Sequence, residues 1–239
     1  MGRPDGRQPA ETLTVGGPLR TARRHPSAVL LAAQLLGVLL YPFMDASAPG
    51  RAMLGLFSLL VLVLAVWAVR ATPALSWVSI LLGVPVVVLT ILEGFNPTGR
   101  FTVLASSMLH AAFYFYTSAA LLQYMFKDRW VTPDELWATG ATFTVVAWAF
   151  AYLFVAVQMV WPGSFTAAID PAEPRSWVEL LFLSFTTLTS TGLSDVVPVM
   201  PQARAVVMVE QVAGLLYVAL VISRIVGLTL YRERSRDGF

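Results

Sequence analysis

Apolar residues fall along this chain in long blocks, separated by short breaks rich in charge, Pro or Gly. Five blocks, at 26–44, 51–69, 74–92, 101–126 and 136–161, are each about long enough to cross a ~30 Å hydrocarbon core as a helix. A shorter block at 177–188 falls well below spanning length, and 203–231 is a final long span. The pattern predicts an all-α membrane protein with six transmembrane helices and one short apolar helix between the fifth and sixth.

Composition agrees with that reading. The 239 residues are 57% hydrophobic and 13% charged, whereas a soluble domain carries roughly a quarter of its residues as charges. Arginines crowd the two ends, and residues 1–26 read as a disordered tail. The apolar run that follows lies too deep, and lacks a convincing cleavage site, for a signal peptide. With six spans, the N-terminal tail, Arg70, the Lys127 and Arg129 loop and the tail after Tyr231 all fall on one side. Lysine and arginine mark that side as cytoplasmic. Asp45, Arg51, Glu93, Arg100, Asp170 and Glu173 fall on the other. The expected location is the inner (plasma) membrane, multi-pass, with both termini cytoplasmic and no cytoplasmic module after Tyr231.

Several chemistries drop out. The net charge of +2 comes mostly from the ends, so no basic face is offered to nucleic acid. There is no cysteine, and the two histidines, His25 and His110, lie far apart. Thiol chemistry, disulfides and a thiolate or histidine metal cluster are excluded. No nucleophile elbow, phosphate loop or paired-carboxylate spacing occurs, so no enzyme and no cofactor are expected. His110 has a proton-sensing reading and a satisfied-core reading. Pro42 and Pro85 predict kinks. The fourth block, 101–126, has no arginine at every third position, so it lacks the charge ladder of a voltage sensor.

Residues 175–204 carry the rest. Ser176 followed by Glu179 is a capping-box spacing and predicts a helix starting at Ser176 and ending near Thr189. A Thr/Ser/Gly stretch follows. Non-helical backbone at membrane depth is tolerated only where protein buries it or where it lines water, so a re-entrant segment is predicted. Its helix would aim a C-terminal dipole inward, where it stabilises a cation. Glu210 and Arg224, about 21 Å apart along one helix, cannot pair with each other. Glu210 is expected to support the pore helix or filter, and Arg224 to anchor the chain near the cytoplasmic surface.

The run Thr187-Leu188-Thr189-Ser190-Thr191-Gly192-Leu193-Ser194-Asp195 resembles the potassium-channel signature TLTTVGYGD. Pro198, Arg204 and Gly214 follow at that family's spacing, Gly214 at the place of its hinge glycine. The run from Glu210 to Leu228 resembles bacterial ion channels of the two-helix-pore class. The resemblance covers about residues 133–231. It implies a homotetramer in the lipid bilayer with monovalent cations (K⁺ or Na⁺) as permeant ligands. The filter would comprise Thr189, Ser190, Thr191, Gly192, Leu193 and Ser194, with ions at Ser190, Thr191 and Gly192 and Asp195 at the outer mouth. Leu215, Val218 and Ile222 would line the cavity. Phe182, Leu183, Thr186 and Glu210 would support the pore. The domains implied are a four-helix peripheral domain at 27–126, a cytoplasmic linker at 127–135, a pore domain at 136–231 and a cytoplasmic tail at 232–239.

The sequence departs from that signature at Leu193, in place of tyrosine, and Ser194, in place of the second glycine. Apolar packing with Phe182 and Leu183 would replace the usual polar cuff. A positive φ at Ser194 would cost about 1 kcal/mol per subunit. The expected function is a cation channel with weakened K⁺ preference. Two other readings stand beside it: a non-conducting membrane protein on a degenerate channel fold, and a small-solute transporter.

Overall fold

In a computed structural model of the protein, described over residues 25–44, 48–69, 73–95, 99–127 and 133–236, seven helices account for most of the chain. They are α1 (Pro26–Met44), α2 (Ala48–Val69), α3 (Pro73–Phe95), α4 (Arg100–Lys127), α5 (Pro133–Val160), α6 (Trp177–Leu188) and α7 (Pro201–Arg236). Residues 1–24 of the expected 1–26 tail, the end at 237–239, and Asp45, Arg70 and Arg129 lie outside the described residues, while Pro26 already opens α1. Each apolar block of the sequence became one helix. α7 runs past the predicted tail boundary at residue 232, and helix α3 continues through Pro85.

Among the described residues, two helices are long and apolar enough to cross a membrane, Asp134–Val160 and Pro201–Arg224. Shorter apolar stretches lie at Pro26–Tyr41, Phe57–Ala68, Ile80–Leu92 and Trp177–Leu188. α5 is mostly buried inside the chain, and α7 is mostly exposed along its apolar length.

α5 is the hub, packed against α1, α4, α6 and α7. Its buried face is rich in alanine (Ala138, Ala141, Ala147, Ala149, Ala151), and small residues let neighbouring helix backbones approach closely. Aromatic side chains fill the remaining space. His110 stacks on Tyr152 at 4.3 Å, and Tyr114, Trp148 and Trp177 continue the cluster from α4 through α5 to α6. The His110 Nδ1 lies 2.9 Å from the Ser106 carbonyl, which only an N–H at Nδ1 satisfies. That bond and the stack are the contacts of a satisfied buried histidine.

Polar ties fasten the first helix to the hub. Ser27 donates through its backbone N–H and its hydroxyl to Asp134 (3.3 and 3.0 Å), and Thr144 donates to Gln34 Oε1 (2.6 Å). Buried polar groups are tolerated when they are bonded in this way. At the opposite end, β1 (Phe165–Thr166) and β2 (Val197–Pro198) form a short antiparallel ladder, pairing Phe165 with Pro198 and Thr166 with Val197. It clips the loop before α6 to the loop after it.

Candidate functional site

The site is built around α6. Ser176 is its N-cap, in extended backbone, with both halves of the capping box made. Ser176 Oγ accepts from the Glu179 N–H (3.3 Å), and Glu179 Oε2 accepts from the Ser176 N–H (2.7 Å). The residue before the cap is locked as well. The Arg175 guanidinium donates to the carbonyls of Ile169, Asp170 and Glu173 and to Glu179 Oε1 (3.0 Å). Gln158 of α5 pairs with both the N–H and the C=O of Arg175, at 2.8 and 2.9 Å. The start of α6 is therefore fixed to α5 and to the loop at 169–173 before any packing is considered.

Burial pushes the Glu179 carboxyl up. The bonds from Ser176 and the charge and bond of Arg175 outweigh it and hold the group below its ordinary value. A depressed carboxyl supports the fold above its unfolded pKa, and that support is lost as pH falls through the lowered value. Replacing Ser176 by alanine removes one half of the box. It should cost about 1 kcal/mol, read as a lower unfolding midpoint of the solubilised protein, with no change expected in the far loop at 197–200.

The end of α6 carries the Thr/Ser/Gly stretch. Thr189 is the C-cap, and Ser190 takes the left-handed conformation (φ 60°). The Ser190 N–H bonds to the Thr187 carbonyl and the Thr191 N–H to the Thr186 carbonyl, both at 3.0 Å. This is the double closure of a Schellman motif, made here with serine where glycine is usual. The Gly192 N–H also reaches the Thr186 carbonyl (3.1 Å), and Gly192 itself has φ 68°. A Cβ at Gly192 would touch nothing within 4 Å, so conformation rather than space calls for glycine there. Positive φ thus falls on Ser190 and Gly192 and not on Ser194. Ser194 instead turns its Oγ to accept from the Val196 N–H (3.1 Å). Ser190→Gly should relieve about 1 kcal/mol of left-handed strain per chain and raise the unfolding midpoint.

Thr189, Ser190, Thr191, Gly192, Leu193 and Asp195 are all exposed. The Thr189 and Thr191 hydroxyls are 3.0 Å apart. Beside them a cleft of about 530 Å³ runs between Thr186, Ser190 and Ser194 on one side and Gln211, Val212 and Leu215 of α7 on the other. Leu193 is 80% exposed, so within the chain it makes little of the apolar packing expected of it; Leu183 is buried and Phe182 half exposed. Leu215, Val218 and Ile222 are exposed along α7, together with Met208, Val209 and Leu216.

α7 crosses α6 through two residues one turn apart. A Cβ at Gly214 would overlap the Leu188 carbonyl, so this glycine lets α7 touch the backbone at the end of α6. Glu210, fully buried, meets Ser184 in the middle of α6, and Ser184 also reaches the Ala147 carbonyl of α5 (2.9 Å). Farther along, Tyr217 donates to the Thr139 carbonyl (2.5 Å). Arg224 pairs with Glu135 (3.1 Å) while lying over the Phe126 ring. Arg224 is therefore anchored by a neighbouring helix.

Sequence reasoning missed Arg175, Gln158, Ser184, Asp134 and Glu135. Arg175 had one legible signal, its i,i+4 spacing to Glu179. The others act on partners 17 to 107 residues away, which no local spacing shows.

Residues 140–230 match the family model described as ion channel. The match takes in most of α5, all of α6, the Thr/Ser/Gly stretch and most of α7. No curated protein and no solved structure matches the chain.

Proposed function

We propose that this chain is a member of the potassium-channel superfamily and a homotetrameric channel conducting monovalent cations passively, a reading supported by the match of residues 140–230 to the ion-channel family model. Each subunit has six spans, α1 to α5 and α7, with α6 re-entrant between the last two. The observation that carries the reading is a short helix capped at both ends, set between two helices of spanning length and followed by an exposed run of hydroxyls and left-handed backbone. A carbonyl- and hydroxyl-rich segment of this kind replaces the water shell of a cation.

The cap sharpens which oxygens serve. Thr186 and Thr187 spend their carbonyls on the turn. The Gly192 carbonyl is likewise spent, accepting from the Ser194 N–H (3.0 Å), so the ion ligands are the backbone oxygens of Thr189, Ser190, Thr191 and Leu193 and the hydroxyls of Thr189, Ser190 and Thr191. Asp195 stands at the outer mouth, and Leu215, Val218 and Ile222 face the cavity. The exposed apolar face of α7 suits contact with neighbouring subunits, since large exposed apolar patches mark such surfaces. Leu193 and Ser194, in place of the family's tyrosine and glycine, weaken the preference for K⁺ over Na⁺. Without an arginine ladder in α4, gating is not by the charge movement of a voltage sensor.

A second reading, a non-conducting protein on the same fold, is favoured by one feature. The left-handed Ser190 turns the innermost filter position into a helix cap. Single-channel recording in planar bilayers separates the two: discrete cation currents support conduction, and silence across pH, voltage, K⁺ and Na⁺ supports the second.

A further inference from the structure

We propose that Glu210 is a neutral carboxylic acid that donates to Ser184, closing a relay from Glu210 through Ser184 to the Ala147 carbonyl that positions the pore helix between the outer and inner helices. The count of protons leads there. A serine hydroxyl has one proton to give and two lone pairs to receive with. Ser184 Oγ lies against two oxygens, the Ala147 carbonyl and Glu210 Oε1. The carbonyl only accepts. If Glu210 were a carboxylate it would only accept too, and one of two buried contacts would lack a proton. With a proton on Oε1, Glu210 donates to Ser184, Ser184 donates to Ala147, and both bonds are made.

Among the described residues, no positive charge pairs with Glu210 to hold a carboxylate. Glu210 and Ser184 are both fully buried, and Glu210 Oε2 has no hydrogen-bond partner. On α6, Glu179 is paired with Arg175 beyond the other end of the helix. On α5, Asp134 and Glu135 lie at the first turn, more than three turns from Ala147, and Tyr152 lies five residues past it. On α7 itself, Arg204 donates to the Pro198 carbonyl and Arg224 pairs with Glu135. A buried charge without a cation is far costlier than a buried neutral acid. The oxygen left over, Oε2, is then a carbonyl acceptor, and an unmet acceptor is better tolerated in protein interiors than an unmet donor.

The relay lies one turn before Leu188, whose carbonyl touches Gly214. Three elements, α5, α6 and α7, are thereby joined by one proton chain directly behind the segment Thr189–Ser194. The effect on conduction rests on the channel reading above; the protonation does not.

Infrared difference spectroscopy of the full chain in liposomes tests it, with K⁺ efflux measured on the same samples. The wild type should show a carboxylic-acid carbonyl band, shifted in D₂O, that is lost in Glu210→Gln and displaced in Ser184→Ala. Glu210→Gln, whose amide can donate to Ser184 as the acid does, should keep efflux within about twofold, whereas Glu210→Leu should lower it at least about tenfold. The proposal is overturned if Glu210→Gln removes no such band, or if Gln impairs efflux as much as Leu. A band without any wild-type efflux would support the relay and count against the channel instead.

Discussion

Glu135→Ala should destabilise the folded subunit by about 3–5 kcal/mol, the largest effect expected of any single substitution here. Glu135 is buried and Arg224 largely so, with side chains 4% and 11% exposed, and their charged atoms lie 3.1 Å apart. Losing the carboxylate removes the partner 3.1 Å from a largely buried guanidinium, and the Phe126 ring at 5.1 Å supplies only a fraction of that attraction. Removing both charges together is a different perturbation. Glu135→Leu with Arg224→Met should recover most of the loss, because neither half is left as a buried charge. Denaturant or thermal unfolding of the purified protein measures both. A single substitution costing less than about 1 kcal/mol would make this an exposed-type pair and remove it as the anchor of α7. The same anchor sets where the lower half of α7 stands, alongside the Tyr217 bond to Thr139.

Gly214→Ala should cost about 1–3 kcal/mol per subunit and at least tenfold in cation flux. The added methyl would meet the Leu188 carbonyl, which is backbone and cannot rotate aside. Either α7 bends away or the end of α6 retreats, and α6 carries the Thr/Ser/Gly segment. This differs from what a hinge would show. A glycine kept for flexibility could become alanine with stability intact and only the open fraction altered. A contact glycine loses stability first, and trimming the Leu188 side chain brings no relief because the clash is with the main chain. Unfolding midpoints of Gly214→Ala and of Gly214→Ala with Leu188→Ala decide between them. Unchanged stability in the single variant would restore the hinge as the whole explanation.

Much of this arrangement is legible in the chain because bilayer-length apolar blocks leave few alternatives. Each predicted block became a helix, and the Ser176/Glu179 spacing marks the N-terminus of α6 as the structure has it. The sequence puts the end of α6 near Thr189, and the C-cap is Thr189. The turn beyond it was not legible. A Schellman closure is announced by glycine, and Ser190 stands in that place, so the sequence points to strain four residues later, at Ser194, where the structure has none. Gly214 was read from its spacing as a hinge, because a helix crossing is a property of two segments and its sequence signal names only one. Arg224 and Glu210 were visible as intramembrane charges, but their partners Glu135 and Ser184 lie 89 and 26 residues away. Asp134 and Glu135 were assigned to a linker. They became the first turn of α5, where acidic residues meet the helix dipole while also holding α1 and α7.

The central claim is that four copies of this chain form a path for monovalent cations. Purified full-length protein in liposomes, loaded with K⁺, with Na⁺ or with a large organic cation, tests it most directly. The expected result is rapid efflux of K⁺, somewhat slower efflux of Na⁺, exclusion of the large cation, and a crosslinked tetramer from the same preparation. No efflux of either small cation from liposomes that hold intact protein would contradict it.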